Sequence, residues 1–332
     1  MTTEAVVTGW GFYVPPKVLT NADLETIVDT TDAWIYERTG IRERHIVEGD
    51  EVTSVMATKA AKEALARAGV RGEDLDAIVV ATTSPDYLLP TAACLVQESL
   101  GARRAAVFDL GAACAGFIYG LAVARGLVLS GTARKILLVG AETISRFLDW
   151  NDRATCVLFG DGAGAVVIEA STAGAGIRST ALHGDGTKKA HLRLEGGGSL
   201  HPPMGRGSEG ASYYIQMDGP EVFKLAVPAM ADATREALGQ AGLRLEDVDL
   251  FIPHQANARI IDAVAKRLGL DRSKVFVDID RFGNTSAASI PIALCDALSR
   301  GRVRQGDTLA FAAFGGGMTW GAAIVEWSAS AS

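Results

Sequence analysis

The sequence predicts an α/β protein built from two halves of the same plan. A segment that begins at Glu63 recurs from Glu236, 173 residues later in the chain. In each copy, apolar residues at helical spacing stop at a glycine, a short acidic loop follows, and a short apolar run comes next. That order is typical of a helix followed by a buried strand. Two α/β halves of one plan are expected to pack as a pseudo-symmetric pair.

The remaining elements of the two halves also correspond. Each half is predicted to contain a strand, a helix, a second strand, a glycine-rich turn and a third strand, in that order. In the first half these lie at 105–109, 118–129, 136–139, 160–164 and 165–168. In the second half they lie at 274–278, 290–298, 308–311, 315–317 and 322–325. We take residues 1–172 as the N-terminal half and residues 173–332 as the C-terminal half.

Composition excludes several classes of protein. The chain has 332 residues, of which 48% are hydrophobic, enough for one large two-lobed unit or two domains. The net charge is −7 with both signs interspersed, so we expect no nucleic-acid partner. The four cysteines are widely spaced and have no metal-ligand rhythm, so we expect no metal. The first residues lack a signal-peptide pattern, and no apolar run reaches the ~20 residues that span a bilayer. We therefore expect a cytoplasmic protein that does not enter the membrane.

One cysteine stands where a reactive thiol is favoured. Cys114 follows a strand-like run and several small residues, and the predicted helix begins just after it. The positive end of a helix favours the thiolate, which is the form that attacks carbonyl carbon. A lone cysteine after a strand is more often a small buried residue. The interpretation of Cys114 as a nucleophile therefore depends on what else the fold brings to it.

Two other polar side chains follow hydrophobic runs in the second half. His254 lies in the segment 253–257, and Asn284 lies in the segment 283–286. Cys114 and Asn284 follow equivalent predicted strands, while His254 follows the strand that matches the one ending near Thr82. Pseudo-symmetry can therefore bring all three side chains to one central pocket. A thiol, an imidazole and an amide in one pocket favour thioester chemistry.

Five segments together resemble the thiolase superfamily and, within it, the β-ketoacyl-acyl-carrier-protein synthase III family. The segments are 112–117, 159–164, 253–257, 283–289 and 314–321, and the likeness covers essentially the whole chain. The resemblance implies a five-layered αβαβα fold, a homodimer, and decarboxylative Claisen condensation with acyl-CoA as a substrate and no cofactor. Elongating members carry a second histidine at the position of Asn284, so the asparagine favours the initiating type. A degradative thiolase would carry a second cysteine near the C-terminal glycine turn, and residues 315–321 contain none.

The resemblance also implies a role for each residue of the predicted centre. Cys114 would take the acyl group from acyl-CoA. His254 and Asn284 would donate hydrogen bonds to the enolate oxygen that forms when a malonyl group on acyl carrier protein loses CO2. The backbone N–H groups of Cys114 and Gly316 would form the oxyanion hole for the acyl-cysteine.

Substrate-binding residues carry over by matching position. CoA contacts are expected from Trp34, Arg38, Thr39, Arg153, Phe223 and Asn257. Trp34 and Arg153 would hold the adenine between an indole and a guanidinium. The acyl pocket is expected to involve Phe314 and, across the dimer interface, Leu89. Some relatives have phenylalanine in place of Leu89, so we predict tolerance of primers longer or more branched than acetyl.

A small basic patch on an acidic protein suits an acidic carrier protein. The residues that match the family's docking patch are Lys224, Arg259, Lys266 and Arg267. The motifs are shared by enzymes that prime fatty-acid synthesis and by ketosynthases that start a specialised, polyketide-type pathway, so both roles stay open at this point. A relative that only binds acyl carriers or stabilises a partner subunit is expected to lack the nucleophile, whereas Cys114, His254 and Asn284 are all present.

Overall fold

A computed structural model describes residues 3–172, 174–204 and 209–329 of the chain. The strands are β1 (Glu4–Tyr13), β2 (Val18–Thr20), β3 (Glu43–His45), β4 (Ala77–Ala81), β5 (Ala106–Leu110), β6 (Lys135–Glu142), β7 (Gly162–Ser171), β8 (Gly176–Gly184), β9 (Leu192–Arg193), β10 (Gln216–Met217), β11 (Leu250–Pro253), β12 (Thr308–Gly315) and β13 (Thr319–Glu326). The α-helices are α1 (Asn21–Leu24), α2 (Asp32–Thr39), α3 (Thr53–Ala68), α4 (Ala92–Leu100), α5 (Gly116–Leu129), α6 (Gly219–Ala241), α7 (Ala258–Leu268), α8 (Ile279–Phe282) and α9 (Ser289–Ser299).

Two sheets repeat the same strand order. The first sheet runs β1-β7-β6-β4-β5, and the second runs β8-β13-β12-β11. In the first sheet β4 is parallel to β5 and β6, and in the second β11 is parallel to β12. The strands β7 and β13 are antiparallel to both of their neighbours. Each strand of the second sheet therefore has a counterpart in the first, as the internal repeat predicts.

The helices form three layers around the two sheets. Helices α5 and α9 lie between the sheets and share one buried apolar core with both. Helices α3 and α4 cover the outer face of the first sheet, and α6 and α7 cover the outer face of the second, each with an apolar core of its own. This is the predicted five-layered αβαβα arrangement.

Equivalent glycines end the two outer helices α3 and α6. Gly69 and Gly242, again 173 positions apart, both have left-handed backbones, with φ of 65° and 71°. Glycine adopts this conformation without the steric cost that a Cβ atom brings. The repeat is therefore visible at the level of single backbone angles as well as in the order of the elements.

Two parts of the predicted element list are wrong. Residues 274–278 form an isolated bridge between Phe251 and Val275 instead of a strand, because the chain turns into α8 directly afterwards. The predicted glycine turn at 160–164 contains the first residues of β7. A Cβ atom on Gly164 would lie 2.7 Å from the side chain of Pro291, so glycine here allows α9 to pack closely on the strand.

The boundary between the halves stays a proposal at 1–172 and 173–332, because residue 173 lies outside the described residues. Within the described ranges, no helix combines the length and the apolar character needed to cross a bilayer.

Candidate active site

Segments from both halves meet at the carboxyl ends of the parallel strands. Cys114 follows β5, and His254 directly follows β11. Asn284 follows α8, and its side chain lines the same cavity of about 500 Å³ as the other two. The carboxyl ends of parallel strands are where open α/β sheets bind ligands. The structure thus brings together the three side chains that the sequence predicts for the catalytic centre.

A strained turn presents Cys114 at the start of α5. The preceding residue, Ala113, has φ of 45°, a region that residues with a Cβ atom seldom adopt. A short 3-10 turn, Ala113–Ala115, then leads into the helix. Gly315, at the end of β12, passes so close that a Cβ atom there would lie 2.6 Å from the backbone nitrogen of Cys114. Glycine at this position therefore lets the second sheet support the nucleophile directly.

The predicted lowering of the thiol pKa is wrong. Burial raises the pKa of Cys114 to about 12, a hydrogen bond from Ser286 opposes the rise, and the nearby Glu142 carboxylate adds to it. The loss of hydration on burial is the largest of these effects, and the sequence alone did not reveal it. Cys114 is thus held as a thiol at neutral pH, and its proton must leave as the thioester is attacked.

Burial keeps His254 neutral. Its backbone N–H donates to Ala312 O at 2.8 Å, which fixes it beside β12. Burial lowers the pKa of the imidazole to about 3. Nδ1 lies 2.6 Å from Ser289 Oγ, and that oxygen already accepts a hydrogen bond from the backbone N–H of Gln255 at 3.3 Å. We assign the Ser289 hydroxyl as the donor to Nδ1, which places the ring proton on Nε2.

Asn284 is fixed through both its backbone and its side chain. Its backbone N–H donates to Leu158 O at 2.9 Å, and its carbonyl accepts from Gly160 N at 3.0 Å. The side-chain Oδ1 accepts the backbone N–H of Ser286 at 2.9 Å. This contact defines which way the amide points, so the Nδ2 group is the donor that can serve the cavity.

A second, smaller cavity of about 190 Å³ opens beside Cys114 and Gly316. Its apolar walls are Ile144, Phe147, Phe159, Leu192, Leu194 and Ile215. Of the two residues predicted for the acyl pocket, Phe314 lies on the larger cavity instead and stacks on Trp320. Leu89 lies on the surface of the single chain with 87% of its area exposed.

The larger cavity collects the residues predicted for CoA. All of its predicted contacts line the wall: Trp34, Arg38, Thr39, Arg153, Phe223 and Asn257. The guanidinium carbons of Arg153 and Arg38 lie 4.6 and 4.7 Å from the centroid of the Trp34 ring. Both are at cation–π distance, so this group offers flat cationic and aromatic surfaces to a purine.

Two of these residues use their polar atoms inside the protein. Thr39 Oγ1 donates to Ile35 O at 2.7 Å, and Asn257 Nδ2 donates to Arg38 O at 3.0 Å. The first contact lies within the last turn of α2, and the second joins the start of α7 to the end of α2. Thr39 and Asn257 therefore shape the wall of the cavity, since these atoms are not free to bind a ligand without losing a bond.

The predicted carrier-docking residues lie on α6 and α7. Arg259 lines the larger cavity near its mouth and donates to Glu37 O at 3.1 Å. Lys266 and Arg267 lie in the last turn of α7, about 10 Å further along the helix axis. Lys224 lies on α6 and pairs with Glu221 at 2.5 Å, and Arg267 lies 3.9 Å from Asp232. The basic residues thus begin at the cavity mouth and are partly balanced by acids of α6.

Comparison with known proteins agrees with this arrangement. The model of the 3-oxoacyl-[acyl-carrier-protein] synthase III family matches residues 108–186, and the model of that family's C-terminal region matches residues 238–327. β-Ketoacyl-[acyl-carrier-protein] synthase III of Roseiflexus castenholzii is 51% identical over 329 residues, which cover 99% of this chain and 100% of the relative. The chain belongs to the 3-oxoacyl-[acyl-carrier-protein] synthase III family.

Solved structures of this family have the same fold. The crystal structure of 3-oxoacyl-[acyl-carrier-protein] synthase III from Aquifex aeolicus has a TM-score of 0.91 and 47% identity, and the match covers 97% of this chain and 100% of that chain. The priming β-ketosynthase of the R1128 polyketide pathway also has a TM-score of 0.91, with 37% identity and coverage of 98% and 96%. The predicted family and thiolase-like fold are confirmed.

The sequence analysis missed three polar residues of this synthase III centre. Ser286 and Ser289 lie inside a segment that carries the family resemblance, but their contacts with Asn284 and His254 depend on the folded chain. Glu142 ends β6 and is fully buried beside Ser286. The available signal was an acidic residue at the end of a long apolar run, which is unusual for a buried strand.

Proposed function

We propose that this synthase III family member starts fatty-acid synthesis by joining a short acyl-CoA to malonyl-acyl-carrier protein. The products are 3-ketoacyl-carrier protein, CoA and CO2. The observation that carries the proposal is the convergence of Cys114, His254 and Asn284 on one cavity whose wall holds the residues expected to bind CoA. The names of the family and of its relatives support the same reaction.

In the first step the acyl group moves to the enzyme. Cys114 Sγ attacks the thioester carbon, the bond from that carbon to the CoA sulfur breaks, and the thiol proton leaves with CoA. The backbone N–H groups of Cys114 and Gly316 would stabilise the oxyanion. The apolar cavity of about 190 Å³ beside the sulfur would hold the acyl chain.

In the second step the malonyl group loses CO2. The enolate oxygen would accept hydrogen bonds from His254 Nε2 and Asn284 Nδ2. Both donors are neutral at neutral pH: the amide does not titrate, and burial lowers the pKa of the histidine to about 3. The carbanion attacks the acyl-cysteine carbon, and the carbon–sulfur bond breaks. The Cys114 thiolate then takes up a proton and the site is restored.

The volume of the small cavity supports a primer larger than acetyl. A cavity of 150 Å³ accommodates benzene, and the cavity here measures about 190 Å³. Butyryl and isobutyryl groups are both smaller than benzene plus a methyl group. We therefore retain the prediction of tolerance for longer or branched primers, with Leu89 of a second subunit as a proposed further wall.

Similarity favours the fatty-acid role over the polyketide-type alternative. The fatty-acid family relative shares 51% of its residues with this chain, whereas the R1128 priming enzyme shares 37%. The proposed reaction uses only side chains, backbone amides and the two thioester substrates, so no cofactor is needed. A cytoplasmic location stays a prediction from the sequence.

The function is tested by the mass of the carrier protein. Malonyl-carrier is incubated with a panel of acyl-CoAs and the enzyme, and intact-mass analysis detects the 3-ketoacyl species. We expect this species with wild type and with the control Cys94→Ala, and none with Cys114→Ala. Butyryl- or isobutyryl-CoA should give product; refusal of both contradicts the primer prediction. Acylated Cys114 with malonyl-carrier left intact contradicts the condensation itself.

We propose docking of acyl carrier protein at the basic patch formed by Lys224, Arg259, Lys266 and Arg267. The patch extends from the mouth of the larger cavity along α7. An acidic carrier bound there would point its prosthetic arm toward Cys114 through the cavity that also admits acyl-CoA. Charge complementarity of this kind mainly sets the rate of association and the choice of partner.

We also propose that the chain forms a homodimer through the edge of the first sheet. Among the described residues β4 is the one strand that pairs with β5, so the other edge of β5 has no strand partner in that part of the chain. Next to this strand in space and sequence, the loop after β4 exposes Tyr87, Leu88 and Leu89. An open strand edge beside exposed apolar side chains is a typical site of subunit association.

Replacing Leu89 with aspartate is expected to shift the protein from dimer to monomer, because a charge would be buried at the proposed interface. The measurement is sedimentation equilibrium over a range of protein concentrations. Leu129→Asp is the matched control, since Leu129 is 43% exposed at the end of α5 and away from β5. A wild type that sediments as a monomer, or a Leu89→Asp variant that stays dimeric, contradicts the proposed interface.

A further inference from the structure

A buried carboxylate lies directly behind the nucleophile. Glu142 ends β6 and is 0% exposed. Its two oxygens accept hydrogen bonds from the backbone N–H of Thr83 at 3.1 Å and from hydroxyl groups of the loop after β4 and of the second half. Those hydroxyls belong to Thr82, Thr83, Ser84 and Ser286. One side chain thus joins the ends of β4 and β6 to the segment that carries Asn284.

Ser286 is the member of this set that touches the catalytic centre. Its Oγ donates to Glu142 Oε1 at 3.0 Å and lies within hydrogen-bonding reach of the Cys114 thiol. Its backbone N–H donates to Asn284 Oδ1 at 2.9 Å. Its φ is 50°, a left-handed conformation that a serine adopts only where its surroundings hold it.

We propose that Glu142 and Ser286 form a positioning pair that holds the Cys114 sulfur and the Asn284 amide in their working arrangement. The inference rests on the proposed function, because it assumes that Cys114 is the nucleophile and Asn284 an enolate donor. Glu142 touches no substrate in this proposal. It acts by fixing the hydroxyl and the backbone of Ser286.

The pattern of donors explains why a carboxylate stands at position 142. Its neighbours are a backbone N–H and hydroxyl groups, all of which can donate. Burial raises the pKa of Glu142, and these hydrogen bonds oppose the rise. A carboxylate accepts from all of these donors at once, whereas a glutamine has a single acceptor oxygen and would need hydroxyl groups to turn and accept from its NH2 group.

The two residues act in opposite directions on the thiol. The Ser286 hydroxyl has one proton, which it donates to Glu142 in the structure; when it turns this proton to the sulfur it stabilises the thiolate and lowers the pKa of Cys114, whereas the Glu142 carboxylate raises that pKa. Among the described residues, His254, which burial keeps neutral, and the guanidinium groups of Arg38, Arg153 and Arg259 line the larger cavity with Cys114, and Arg193 lines the smaller one. The neighbouring segments 286–288 and 315–317 and the start of α5 have no charged side chain. Substitutions of Ser286 and Glu142 should therefore change the reactivity of the thiol in opposite directions, whereas a general loss of packing would change it in the same direction in both variants.

The test compares Ser286→Ala with Glu142→Gln in the full-length protein. Alkylation of Cys114 by iodoacetamide is followed by mass spectrometry from pH 7 to 10, without any substrate. At a given pH we expect alkylation to become several-fold slower in Ser286→Ala and several-fold faster in Glu142→Gln. Condensation in the carrier-protein assay is expected to fall roughly 10- to 100-fold in both.

Two controls separate positioning from folding. Ser286→Gly lacks the hydroxyl but adopts the left-handed backbone without strain, so it should show the same slower alkylation as Ser286→Ala. Thr285→Val removes the neighbouring hydroxyl, whose Oγ1 is buried without a hydrogen-bond partner among the described residues, and should leave the profile unchanged. Melting temperature is measured for every variant.

Shifts of the alkylation profile in the same direction in both variants, or in neither, overturn the positioning pair. Condensation at the wild-type rate in either variant also overturns it. The alkylation assay uses no thioester, so its result is independent of the proposed function. If wild type fails to condense while the opposite shifts appear, the proposed function fails and the arrangement of the pair stands.

Discussion

Asn284→Ala is expected to lower the rate of condensation by about 10²- to 10³-fold while Cys114 is still acylated by acyl-CoA. Asn284 Nδ2 is proposed to donate to the enolate, which exists only after CO2 is lost. The alanine variant removes this donor and leaves the Cys114 and Gly316 amides that are proposed to serve the first step. Single-turnover mass analysis measures both steps, as acyl-enzyme formed and as 3-ketoacyl-carrier formed.

Two further substitutions sharpen this prediction. Asn284→Asp keeps the shape of the side chain but replaces the donor with a carboxylate, which repels the enolate, so its condensation should be slower than that of the alanine variant. Asn151→Ala, in an exposed turn where Asn151 contacts Asp149, is the control and should behave as wild type. An Asn284→Ala variant that loses acylation and condensation equally would contradict a role confined to the enolate.

Arg44→Met is expected to lower the free energy of unfolding by about 3–5 kcal/mol. Arg44 is fully buried, and its guanidinium donates to Leu19 O at 3.2 Å, Asn21 Oδ1 at 2.9 Å and Val157 O at 2.7 Å. Methionine fills part of the space and removes all three of these hydrogen bonds. Val157 directly precedes Leu158, whose carbonyl accepts the backbone N–H of Asn284. We therefore also expect a lower rate of condensation.

Urea unfolding followed by circular dichroism measures the loss of stability at Arg44. The matched control is Arg71→Met, since Arg71 is an exposed arginine paired with Asp74 at 3.1 Å, and its loss should change the stability far less. Equal destabilisation by the two substitutions would show that burial and the three acceptors are not what makes Arg44 important.

The sequence predicts the fold well because its signals are local and occur twice. Gly69 and Gly242 end equivalent helices, and the apolar runs after them become β4 and β11. The exceptions arise from packing between halves. Gly164, which resembles a turn residue in the sequence, lies in strand β7, where the missing side chain makes room for α9. The chain after Val275 leaves the sheet and forms α8.

The candidate site also has features that the sequence predicts and features that only the folded chain reveals. Cys114, His254 and Asn284 are predictable because each follows a recognisable apolar run, and the structure brings them to one cavity. The pKa of Cys114 was not predictable, because the burial that raises it comes from elements distant in sequence. The only local signal for Glu142 is an acidic residue at the end of an apolar run; its role depends on hydroxyl groups from two segments that are distant in sequence, the loop after β4 and the turn at Ser286.

The left-handed residues Ala113 and Ser286 lie 173 positions apart, so they are the same turn present once in each half. Its two copies have specialised. In the first copy the next residue is the reactive Cys114, while in the second it is Ala287, packed in the interior with 1% of its area exposed. Under the proposed function the duplicated architecture thus has a single reactive centre, in which one copy of the turn carries the nucleophile and the other supports it.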